Sequence, residues 1–104
     1  MDLAEAIYLE TNRGPLSRDY GLKDQIRRSA VSVASNIAEG DELDTLKQGL
    51  KHFYYSRGSL AELETQLLLG ARVGYDTFET YDKLIIDCHE IGAMINGLIK
   101  FRSK

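Results

Sequence analysis

The sequence predicts an all-α fold: an antiparallel up-down-up-down four-helix bundle with a short first helix. Three observations predict it. Apolar residues recur at i, i+3 and i+4 along almost the whole chain, and Val and Ile follow helical rather than alternating patterns. The breaks between periodic stretches are short and carry glycine, proline or capping residues. The single proline, Pro15, stands in one of those breaks. Short connections between long helices make neighbours antiparallel.

The first helix is expected from about Asp2 to Asn12, with Leu3, Ala6 and Ile7 on one face. Arg13-Gly14-Pro15 ends it. The second spans roughly Leu22 to Glu39 and carries two apolar stripes. Leu22, Ile26, Ala30, Val33 and Ile37 form the core stripe, and Arg27, Val31, Ala34 and Ala38 form an adjacent one. Gly40 is expected just past its end, where a left-handed turn suits glycine. The third helix runs from Thr45 to about Val73, with Thr45 and Gln48 as a capping box. Its apolar face is read as Leu46, Leu50, Phe53, Tyr54, Leu60, Ala61, Leu67, Leu68 and Ala71, with Gly74 as the stop. The fourth begins at a second capping-box pair, Asp76 and Glu79. Tyr81, Leu84, Ile85, Cys88, Ile91, Gly92, Ile95, Leu98 and Ile99 line its inner face. Lys100, Arg102 and Lys104 close it, where cations suit the helix C-terminus.

Composition bounds the function. The chain has 104 residues, enough for one domain with no repeat or linker. With 43% hydrophobic and 28% charged residues it is ordinary folding material. A chain this size buries roughly two-thirds of its unfolded surface, so its core is modest and oligomerisation would add to it. The net charge of −3 gives no overall basic character of the kind that drives non-specific nucleic-acid binding. The lone Cys88 suits a reducing, cytoplasmic setting. The N-terminus lacks the basic and apolar regions of a signal peptide, and no apolar run approaches the roughly 20 residues of a membrane span.

Three groups of residues are candidate sites. Arg27, Val31, Ala34 and Ala38 are read as an oligomer interface, because small residues allow close helix approach and a contiguous apolar patch needs cover. Lys23, Arg27 and Arg28 could contact phosphate, extended by Lys47 and Lys51 if those lie nearby; solvated surface cations are the simpler alternative. Arg57 and Glu64, seven residues apart on the third helix, fall on its apolar stripe. Buried charges need partners, so they are expected in a buried polar cluster with Asn36 and Glu39, or alternatively in a ligand pocket.

Catalytic and metal motifs are not expected. A di-iron bundle needs Glu-x-x-His on two helices; here Gly49 and Ile86 precede His52 and His89 by three. Cys88 and His89 are adjacent and point about 100° apart on a helix, poor geometry for one metal. No P-loop, Gly-x-Ser-x-Gly or zinc spacing occurs. No cofactor is predicted. Of six tyrosines, Tyr54 and Tyr81 are read as core and Tyr8, Tyr20, Tyr55 and Tyr75 as interface residues.

Tyr20-Gly21-Leu22, Gln25-Ile26-Arg27-Arg28-Ser29-Ala30-Val31-Ser32, Ser35-Asn36-Ile37-Ala38-Glu39-Gly40 and Gly58-Ser59-Leu60-Ala61-Glu62-Leu63-Glu64-Thr65-Gln66-Leu67 together resemble the 23S rRNA intervening-sequence protein family. The resemblance spans nearly the whole chain. It implies a bacterial four-helix protein that assembles into ring-shaped homopentamers. A related branch serves the reverse transcriptase of diversity-generating retroelements through a basic ring surface. Two differences stand out: Ala34 occupies a position where the family often has proline, and the family's first helix usually begins further upstream. The retroelement branch is strongly basic, which this chain is not. The resemblance implies a non-enzymatic assembly module whose partner is RNA or an RNA-associated protein. The alternatives from the residues are a protein-binding scaffold without nucleic acid, or a bundle that binds a small molecule or metal.

Overall fold

The computed structural model describes residues 2–42 and 46–103. Among the described residues four α-helices are present: α1 (Asp2–Thr11), α2 (Tyr20–Glu42), α3 (Leu46–Arg72) and α4 (Phe78–Arg102), with a 3₁₀ turn over Pro15–Arg18. They form an elongated antiparallel bundle of 44 × 21 × 18 Å. α2 packs along α3, α3 along α4, and α1 lies against α2 and α4. The α1/α2 and α3/α4 faces therefore lie on opposite sides.

Local chemistry explains the helix ends. After Gly14, whose φ is +59°, Pro15 starts the 3₁₀ turn, suited by its fixed φ and missing N–H. Asp19 then caps α2: its Oδ1 accepts from the Leu22 N–H at 3.0 Å. The cap lets α2 begin at Tyr20, two residues before the predicted start. At the same end of the bundle, α3 stops at Gly74, as predicted. The Tyr75 N–H donates to the Gly70 carbonyl and the Gly74 N–H to the Ala71 carbonyl, with Gly74 at φ +84°. This is the Schellman arrangement, in which a left-handed glycine closes the last turn.

Two expectations about helix ends change, and others fall outside the described residues. Gly40 is not a stop: α2 continues to Glu42, and Gly40 is buried inside it. Glycine is needed there for close approach, because a Cβ would lie 2.5–3.0 Å from the Phe53 ring. The cap of α4 is Thr77, not Asp76; its hydroxyl accepts from the Thr80 N–H at 3.1 Å. The Thr45 capping box, the Leu46 side chain and Lys104 lie outside the described residues.

The core is the predicted set with three corrections, the first being Leu16, which lies in the break after α1 and is buried. Leu3, Ile7, Ile26, Ala30, Val33, Phe53, Leu60, Leu67, Leu84, Cys88, Ile95 and Ile99 are buried together. Tyr54 and Ala61 are exposed rather than core. Leu63 and Ser56, absent from the predicted face, are completely buried. The α3 stripe runs Gly49, Phe53, Ser56, Leu60, Leu63, Leu67 and Gly70, a strict alternation of three- and four-residue steps. Ser56 escapes a search for apolar residues because its hydroxyl is satisfied across the seam, donating to the Val33 carbonyl at 2.8 Å.

Candidate interaction site

The small residues of α2 face two different neighbours. Toward α3 they make a closed seam. The Ser32 and Ser59 hydroxyls are 2.7 Å apart, and Asn36 Nδ2 donates to both the carbonyl and the hydroxyl of Ser32. The Asn36 Oδ1 meets His52 Nδ1 at 2.8 Å, and Glu39 Oε2 reaches the same nitrogen at 3.2 Å. Ser32, Asn36 and Glu39 of α2 are thus engaged along the α3 seam.

Toward α1 the small residues leave a groove. Ala4, Tyr8 and Leu9 of α1 and Val31, Ala34 and Ala38 of α2, with Glu5 and Ser35 as its polar residues, line a mostly apolar trough of about 750 Å³. Its rim is exposed: Tyr8 is 43%, Leu9 64% and Val31 43% accessible. α1 has only ten residues, and alanine at 34 and 38 puts no side chain into the gap. A smaller hollow on the other flank of α1, about 340 Å³, is lined by Leu3, Ile37, Ile91 and Met94 among others.

Arg27 sits at the lower end of this groove and belongs to the fold. Its Nε donates to the Thr11 hydroxyl at 2.8 Å. Its Nη2 donates to the Asn12 side chain at 2.7 Å and the Tyr8 carbonyl at 3.3 Å, and the guanidinium lies 4.4 Å from the Tyr8 ring centre. The cation closes the last turn of α1, where free carbonyls and the helix dipole favour it. The structure thus brings Val31, Ala34 and Ala38 into one groove, with Arg27 as the clamp that positions its α1 wall.

The other predicted groups are placed differently. Lys23 donates to the Ser17 carbonyl at 3.1 Å and Arg28 pairs with Asp24 at 2.9 Å. Lys23 lies at the opposite end of the α2–α3 pair from Lys47 and Lys51, so they form no joint patch. Arg57 is exposed, not buried; it lies over the Tyr54 ring at 4.8 Å and donates to Asn96 at 3.3 Å. Glu64 is half-buried beside Cys88 instead. Asn36 and Glu39 meet at His52, without Arg57 or Glu64. Arg57 escapes burial because its position lies at the edge of the stripe and its long side chain reaches out along Tyr54.

Burial pushes the Cys88 thiol up to about 12, with the Glu64 and Asp87 carboxylates adding to it. That makes it a packing residue rather than a nucleophile. Among the described residues, no group of three or more His, Cys, Asp or Glu side chains is placed to hold a metal. No described helix is long and apolar enough to cross a membrane.

The family model for the 23S rRNA-intervening sequence protein matches residues 1–97. The chain belongs to this family. Among solved structures, the chain is similar to a protein of unknown function from the S23 ribosomal protein family of Bacteroides thetaiotaomicron VPI-5482. The two are 24% identical with a TM-score of 0.74, over 95% of this chain and 86% of that one. At that identity the likeness is one of fold. No curated protein matches this member of the 23S rRNA-intervening sequence family.

Proposed function

We propose that this chain is a non-enzymatic, cytoplasmic assembly module that binds copies of itself through the α1/α2 groove. The closed ring is a homopentamer, and its partner is RNA or an RNA-associated protein. The groove carries this reading. It is mostly apolar, rimmed by exposed Tyr8, Leu9 and Val31, and floored by Ala34 and Ala38, small enough to admit a neighbouring helix. A second copy is the occupant that fits best. The groove offers few convergent polar groups of the kind that orient a small ligand. Contact of the groove with a different patch of an identical chain is heterologous and can close into a ring. Family membership supports the partner class, and the unpaired Cys88 fits a reducing compartment.

Native mass spectrometry of protein purified without nuclease tests this. Five chains of 11.7 kDa give about 58 kDa. Extra mass that ribonuclease removes supports the RNA partner, and a bare ring supports a protein scaffold. A monomer contradicts the assembly.

A further inference from the structure

Charge is segregated along the α3/α4 hairpin. Residues 46–61 of α3 contain Lys47, Lys51 and Arg57 and no acid. Residues 91–103 of α4 contain Lys100 and Arg102 and no acid. The intervening stretch, 62–90, carries seven carboxylates against Arg72 and Lys83. Antiparallel pairing brings the two acid-free stretches side by side, and the Arg57–Asn96 bond fixes that register. A chain of net charge −3 thus has one acid-free half-face, with Lys47, Lys51, Arg57 and Lys100 exposed on it, on the side away from the α1/α2 groove, while Arg102 turns inward to Asp41.

Two exposed aromatic rings flank the α3 part of this half-face, Tyr54 toward α4 beside Arg57 and Tyr55 toward α2, edge-on to His52. Tyr54 is 44% and Tyr55 50% accessible. Each has a cation beside it: Arg57 lies 4.8 Å from the Tyr54 ring centre and Lys51 lies 5.6 Å from that of Tyr55. On α2, Glu39 and Asp41 are held by His52 at 3.2 Å and Arg102 at 3.8 Å. Lys47, Lys51, Arg57 and Lys100 are exposed, and none of them is in an ion pair among the described residues.

We infer that this half-face of α3 and α4 binds single-stranded nucleic acid, its cations taking phosphates and Tyr54 and Tyr55 stacking bases. Exposed rings interleaved with cations suit unpaired bases, whose faces are free; a duplex hides them. The site deepens the RNA-partner part of the proposed function and is separate from self-assembly.

Fluorescence anisotropy with a labelled oligouridylate of twenty nucleotides tests the site. Each phosphate neutralised on a single strand contributes about −0.7 to the slope of log affinity against log salt. Four cations predict a slope of magnitude about 2.8. Lys51→Gln with Arg57→Gln should lower the slope by about 1.4 and the affinity at least tenfold. Tyr54→Ala should weaken binding about tenfold with the slope unchanged. Lys23→Gln with Arg28→Gln should change neither. Helicity and oligomer mass are measured on each variant, and Lys100→Gln, at an exposed position on α4, replaces any that unfolds.

Wild-type binding that the α3 variants leave intact, or that the Lys23 and Arg28 variant abolishes, overturns this site and leaves the RNA partner standing. No binding at 50 mM salt overturns both. Equal competition by polyglutamate, or an equal preference for duplex, overturns the stacking role and with it the assignment to single strands.

Discussion

α2 treats its two flanks in opposite ways. Toward α3 its small and polar residues are matched: Gly40 receives the Phe53 ring, Ser32 meets Ser59, and Asn36 meets His52. Toward α1 its alanines are unmatched, and a trough remains. Small residues on a helix thus do not by themselves mean close packing. They mean it only where the partner supplies a complementary residue at the same level. The closed flank holds the fold, and the open flank is where a second chain has something to gain.

The largest effect should come from disturbing the closed flank. Gly40→Ala puts a Cβ 2.5 Å from the fully buried Phe53 ring. Overpacking of this kind costs about 1–3 kcal/mol, beyond the helix propensity gained. Urea denaturation should show that loss, and Phe53→Leu in the same chain should recover part of it. Equal stability of Gly40→Ala would mean that the seam is looser than described.

The α1 clamp should matter somewhat less. Arg27→Ala removes three hydrogen bonds and the contact with the Tyr8 ring. A loss of about 1–2 kcal/mol is expected, since charged hydrogen bonds contribute more than neutral ones but this guanidinium is partly solvated. Amide exchange should quicken first in α1. Uniform quickening would contradict the view of α1 as a separately held element.

A glycine away from either flank should respond with the opposite sign. A Cβ at Gly58 meets nothing within 4 Å, so Gly58→Ala should raise stability by about 0.5–1 kcal/mol. The smallest effect at neutral pH concerns Cys88. Its thiol ordinarily titrates near 9 and is held at about 12 in the fold. The unfolded chain therefore releases this proton first, and stability should fall as pH rises from about 9 toward 12. At pH 8 alkylation of native Cys88 should be slow and should accelerate in denaturant; fast native alkylation would show that the core opens there.

Much of this was legible in the sequence, and the failures share a cause. Periodicity alone located all four helices and most of the core, because apolar spacing directly encodes which side is buried. Gly74 was read correctly because a terminal glycine has a local job. Gly40 was misread because its job is set by Phe53, thirteen residues on and across a helix pair. Ser56 and Arg57 failed in complementary ways. A serine bonded to a carbonyl can be buried, and an arginine beside a tyrosine can leave the apolar side. The groove was legible as a second stripe of small residues, but its depth depends on the length and side chains of α1. The acid-free runs in α3 and α4 were visible in the sequence too, yet only antiparallel pairing makes them one surface.

The open flank is tested most directly by measuring the mass of Ala34→Glu beside the wild type by light scattering. A carboxylate at position 34 points into the groove without touching the α2–α3 seam. The wild type should run as a multiple of 11.7 kDa, and the variant at 11.7 kDa with its helical circular dichroism intact. A variant that keeps the wild-type mass, or a wild type that is itself monomeric, would contradict assembly through the α1/α2 groove.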